Sequence, residues 1–172
     1  MIRTAGSDDI EIIRTIAKNT WPVTFRDILS DKQIEYMMEM MYSHDSLIEQ
    51  MSKKNHVYLL SYENIKEGEV FRPVYTGYLS YELNYSNRDK TKIHKIYILP
   101  QFQGYGYGRA LIEEVRIRAI SNRNYTITLN VNRNNRAVEF YKTLGFVITA
   151  EEDIDIGNGF LMEDYKMEMI IE

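Results

Sequence analysis

The stretch from Ile93 to Val115, IHKIYILPQFQGYGYGRALIEEV, changes character twice. Its first part is apolar and β-branched, with Ile93, Lys95 and Tyr97 set on one face and His94, Ile96 and Ile98 on the other, which predicts a largely buried central strand. After Pro100, glycines at 104, 106 and 108 remove the side chains that would keep an anion from the backbone. Leu111, Ile112, Val115 and Ala119 then recur at helical spacing. Strand, glycine turn and helix in that order bring several N–H groups together at the positive end of a helix dipole, an arrangement suited to a pyrophosphate. Two other phosphate sites are excluded by the residues. A dinucleotide fingerprint needs glycine where Arg109 stands, and a P-loop needs a Lys-Ser or Lys-Thr pair that does not follow. The bland alternative is a glycine turn without a ligand.

Outward from this stretch, the N-terminal third reads as mostly helical. Asp8 and Asp9 precede Ile10, Ile13, Ile16 and Ala17, a helix predicted to stop before Pro22. Ile34, Met37, Met38 and Met41 share a second helical face, and Leu47, Ile48 and Met51 add a turn or two. Val57 to Ser61 and Val74 to Leu83 read as antiparallel strands separated by the polar segment ENIKEGEV. Downstream come a strand from Thr126 to Val131 and a short helix from Asn134 to Thr143, closed by Gly145. A hairpin from Phe146 to Glu168 follows, turning at Gly157-Asn158-Gly159. No repeat or linker divides the chain, so one domain over 1–172 is expected.

The 172 residues hold 25 acidic and 21 basic side chains, a formal charge of -4, which argues against a nucleic-acid partner gripped through phosphates. With no cysteine there is no disulfide framework, thiolate metal site or cysteine nucleophile. Charge enters every turn of the N-terminal segment, so neither a signal peptide nor a membrane span is expected. A cytoplasmic protein fits these features.

A second pattern follows the glycine turn by about one strand: Asn134-x-x-Ala137-x-x-Phe140-Tyr141-x-x-x-Gly145-Phe146. Together the two motifs resemble the GNAT superfamily of N-acetyltransferases, most strongly over Ile93 to Phe146. The segment from Ile156 to Met167 is also similar to the last hairpin of PaiA-type spermine/spermidine acetyltransferases. The resemblance implies an α/β fold, a mixed and twisted sheet of about seven strands flanked by helices. It implies acetyl-CoA as co-substrate, with Gln103, Gly104, Tyr105, Gly106, Tyr107, Gly108 and Arg109 at the pyrophosphate and Asn130, Asn134 and Ala137 beside the pantetheine. Backbone groups of Ile96, Tyr97 and Ile98 would polarise the thioester carbonyl, and Tyr141 would be the general acid, its plain alternative being a core aromatic.

Direct attack by a primary amine in a ternary complex needs a deprotonated amine, a polarised carbonyl and a proton for the leaving thiolate. Where many relatives carry a glutamate as base, Lys92 stands here, which leaves His94 and Glu82 as candidates; each also reads as an ordinary sheet or surface residue. Trp21, Phe25, Tyr36 and Tyr42 could form an aromatic wall for the acceptor, with Glu35 or Asp164 meeting a cationic amine. The expected acceptor is a small amine or polyamine; the alternatives are a protein N-terminus or lysine, and a silent acyl-CoA-binding module. His44 and His56 read as isolated, so no metal site is expected. A homodimer, common in that family, is compatible with the chain.

Overall fold

All seven strand segments join one sheet in the computed structural model, which describes residues 1–172. The strands are β1 (Ile2–Thr4), β2 (Val57–Glu67), β3 (Val70–Glu82), β4 (Lys90–Ile98), β5 (Thr126–Asn132), β6 (Val147–Gly157) and β7 (Phe160–Ile170). The helices are α1 (Ile10–Phe25), α2 (Asp31–Tyr42), α3 (His44–Ser52), α4 (Tyr107–Ser121) and α5 (Ala137–Thr143). Strand order is β1-β2-β3-β4-β5-β7-β6, and every pairing is antiparallel except that of β4 with β5, which α4 connects as a crossover.

Each face of the sheet has its own apolar cluster. On one, Leu111, Ile112, Val115 and Ala119 of α4 pack with Val138 and Tyr141 of α5 against Leu79, Ile127, Leu129 and Met167. On the other, Ile10, Ile13, Ala17 and Trp21 of α1 meet Leu47, Tyr58, Leu60 and Tyr78. The expected α4 stripe is therefore core, and the mixed α/β class and seven strands are as the resemblance implied.

Four local expectations are corrected. Helix α1 does not stop before Pro22 but runs through it to Phe25. Pro22 is exposed, so the carbonyl it leaves without a donor can be hydrated, while buried Trp21 and Phe25, four residues apart, hold the last turn to the core. The polar segment between β2 and β3 is not a separator. It forms the outer half of a long hairpin that turns at Gly68, because backbone pairing needs no apolar side chains where both faces meet water. The alternation expected along β4 is reset by a bulge: Ser80 pairs with Lys95 and Tyr81 with Ile93, leaving His94 extra. Ile93, Ile96 and Ile98 thus pack toward α4, and Tyr97 packs toward α1. Helix α5 begins at Ala137 rather than Asn134. The Asn132 and Asn135 side chains accept from the amides of Asn134 and Ala137, both at 2.9 Å, and hold a turn in place of helix.

Candidate active site

The parallel strands β4 and β5 stay paired only from Lys90–Thr126 to Ile93–Leu129. Beyond that point β4 follows β3 to Ile98 and β5 follows β7 to Asn132, so the sheet opens into a V at its centre. The Leu99 amide donates to the Thr76 carbonyl of β3 at 2.9 Å. Ladder alternation therefore turns the Tyr97 backbone toward β3 and leaves the backbone groups of Ile96 and Ile98 facing the opening. Of the three residues expected to offer backbone here, Tyr97 is the exception. Its side chain faces the groove instead.

That groove, about 1260 Å³, is walled by the end of α1, the outer part of β4, the glycine turn, and residues of β5, α5 and β7. The amides of Gly104 through Arg109 find no acceptor in the chain, the first helical bond being Ala110 N–H to the Gly106 carbonyl at 3.0 Å. Gly104 and Gly106 have φ of +84° and +87°, a region that disfavours any side chain. At Gly108 a Cβ would lie 3.3 Å from Phe140 Cζ, so the bare backbone lets α4 start close against α5. The Gln103 amide donates to the Ile98 carbonyl at 3.0 Å and ties the turn to the end of β4. Tyr107 lines the groove with its hydroxyl on Glu63, whereas Tyr105 is 77% exposed and outside it. Arg109 and Arg136, both exposed, line the groove as well.

Tyr141 is buried to 7% exposure and lines the groove, its hydroxyl held well above the usual tyrosine range by burial alone. Its position is set by the end of α5. Gly145, at φ +96°, lets the Phe146 amide reach the Tyr141 carbonyl (3.1 Å) and its own amide reach Lys142 (3.0 Å), the two bonds of a left-handed helix cap. Asn134 and Ala137 line the groove beside it, and so does Asn130, whose amide donates to Glu152 at 2.8 Å. Asp164 of β7 lines the groove as well. Burial first, then the nearby Tyr42, Tyr141 and Asp164, hold the Tyr97 hydroxyl proton on.

Trp21 stands on the opposite wall, 5.8 Å from the Tyr97 ring, and its indole N–H donates to the Tyr42 hydroxyl at 3.3 Å. Phe25, Met37 and Met41 continue that wall. Tyr36 is not part of it: its hydroxyl donates to the Ile156 carbonyl at 2.7 Å, docking α2 on the β6–β7 hairpin. Glu82 also lies outside the groove, 3.0 Å from His94 Nε2.

His94 is a poor proton acceptor where it sits. Burial, the neighbouring His56 and the Lys95 and Lys92 ammonium groups push it down to about 2. His56, read from the sequence as isolated, stacks on His94 with ring centroids 3.8 Å apart and planes 17° apart. With Glu82 these donors fall within 4.8 Å of one another. Stacked imidazoles point their lone pairs into separate parallel planes, however, so one ion cannot lie in both, and three lysines surround the pair.

The family described as an acetyltransferase (GNAT) domain matches residues 25–169. An uncharacterized N-acetyltransferase of Methanocaldococcus jannaschii is 35% identical over 79 residues, 45% of this chain. The match spans 33% of that relative's length. Among solved structures, the PaiA N-acetyltransferase of Thermoplasma acidophilum in complex with coenzyme A superposes with a TM-score of 0.74 at 21% identity, over 99% of this chain and 98% of that one. A spermidine N-acetyltransferase variant from Vibrio cholerae gives 0.64 at 18% identity, over 99% and 94%.

Proposed function

Because the chain belongs to the acetyltransferase (GNAT) family, we propose that it transfers the acetyl group of acetyl-CoA to a primary amine of a small molecule, with a polyamine the favoured class. Tyr141 carries this reading: it is a protonated phenol lining the groove that also holds a turn of unpaired amides. The groove fits the co-substrate in order. Free N–H groups of Gly104 to Arg109 receive the pyrophosphate, the unpaired edges of β4 and β5 receive the pantetheine amides, and the thioester lies between Ile96, Ile98 and Tyr141. The amine nitrogen attacks the thioester carbonyl directly, and Tyr141 protonates the departing sulfur. A small or polyamine acceptor is supported by the Trp21 wall, the Asp164 carboxylate and the spermidine acetyltransferase among the similar structures. Both clusters share one sheet, which supports reading residues 1–172 as a single catalytic unit; no helix is long and apolar enough to cross a membrane, compatible with work in the cytoplasm.

The test is free-thiol release from acetyl-CoA against polyamines, aminoglycosides, amino acids and short peptides, with Tyr141→Phe alongside. Amine-dependent release that drops in the variant is the expected result. Coenzyme A binding without release on any amine identifies a silent binding module, and no binding at all refutes the reading.

A further inference from the structure

Asp164 is the only buried carboxylate in the chain, 4% exposed, and it lines the groove. Burial and the Glu152 carboxylate of β6 raise it to about 6, against the pull of Lys92 on β4 and of Arg133 after β5. No hydrogen bond enters that balance. Arg133 is itself occupied by Glu151, Asp153 and Glu163. Lys166, two residues along β7, pairs with Glu168. Tyr97 lies close enough to feel the carboxylate, Tyr141 lines the same groove as a protonated phenol, and Arg26 and Asp27 line it as well. A buried carboxylate is ordinarily paired or hydrogen-bonded, because leaving it without partners is costly. Asp164 lines the groove, so a cationic partner can reach it there.

We propose that Asp164 binds the ammonium group of the acceptor and takes its first proton, acting as the base of the reaction, a role the sequence left between His94 and Glu82. This rests on the transferase reading above. The steps balance. Asp164 removes one proton from R–NH3⁺ and passes it to solvent, and the neutral nitrogen forms the N–C bond to the thioester carbon. The C–S bond breaks, and the thiolate takes the Tyr141 proton. A second nitrogen-bound proton restores Tyr141, and the third stays on the amide. The geometry suits this division, since Asp164 lines the groove from β7 and Tyr141 from α5, and Tyr97 lies near both.

The experiment is the pH profile of kcat/KM for the best amine, in wild type, Asp164→Asn and Asp164→Glu, with coenzyme A affinity and circular dichroism measured on each. In wild type, kcat/KM should climb about tenfold per pH unit below roughly pH 6 and then level. Asp164→Asn should lose that limb and fall by about 10²–10³ at pH 7, with kcat reduced and coenzyme A affinity kept, and Asp164→Glu should recover part of the rate. An unchanged Asn profile overturns the proposal while leaving the transferase reading intact. A raised KM with the acidic limb preserved also overturns it, reducing Asp164 to an ammonium anchor. If Asp164→Asn fails to fold, the Glu variant decides: a wild-type acidic limb unshifted by the longer side chain refutes the role. Wild-type protein that releases thiol with no amine fails the transferase reading itself, and this inference with it.

Discussion

Replacing Tyr141 by Phe removes one oxygen from a ring that otherwise packs as core, 5.8 Å from Phe146. We expect kcat to fall by roughly 10²–10⁴ with coenzyme A affinity and melting temperature little changed, checked by thiol-release kinetics and a thermal melt. Burial holds this phenol protonated far above neutral pH, so any alkaline loss of rate belongs to another group. Lys95 makes the opposite case, a charge whose present position harms stability. Its ammonium donates to Gln50 Oε1 at 2.5 Å beside the Tyr42 and Tyr58 rings, and burial followed by Lys54 lowers it to about 7. The unfolded chain then binds the extra proton between about pH 7 and 10, so stability rises with pH across that window. Lys95→Met should flatten this rise and lift the melting temperature at pH 7 by a few degrees, with Gln50 Oε1 still accepting from Tyr58 at 2.7 Å. Melts from pH 7 to 9.5 check it.

Among the elements, the β3–β4 pair carries the narrowest tolerance. A Cβ on Gly77 would come within 2.4 Å of Ile98 Cδ1 and 2.6 Å of the Tyr97 carbonyl, closer than side-chain rotation can relieve on the backbone side. Gly77→Ala should therefore destabilise by about 1–3 kcal/mol. It should also push the end of β4 outward and weaken coenzyme A binding, which denaturant unfolding and a titration would detect together. The glycine turn was legible because its chemistry is local: three glycines, a helix start and the right spacing. The bulge at His94 was not. Nothing in the sequence of β4 marks it, since the extra residue exists only relative to the β3 register. The bulge moves Ile93 to the face of Ile96 and Ile98, while Tyr97 stays opposite them, and simple ladder alternation turns the Tyr97 backbone to β3.

For the molecule as a whole, the buried histidines set the acid response. His56 is lowered to about 4 and His94 to about 2, first by burial in both cases. Their neutral forms contribute stability that is complete above about pH 6.5 and is lost as pH falls toward those values, because the unfolded chain takes up the protons first. Asp164 acts oppositely. Raised to about 6, it favours the folded state below its unfolded value and loses that contribution as pH rises through 6. Two histidines against one carboxylate should leave a net fall in melting temperature between pH 6.5 and 4, seen by calorimetry; a flat or rising profile would mean that neither ring is held neutral. The family motifs and helical stripes determined the fold class, the glycine turn and the candidate acid, since each depends on residues close together in the chain. Only the tertiary structure decided how Pro22 is carried, where the β4–β5 pairing ends, that His56 stacks on His94, and that Asp164 shares the groove with Tyr97 and Tyr141. Those relations join distant segments, and burial and proximity, which set the charge states of these groups, exist only once the sheet has brought them together.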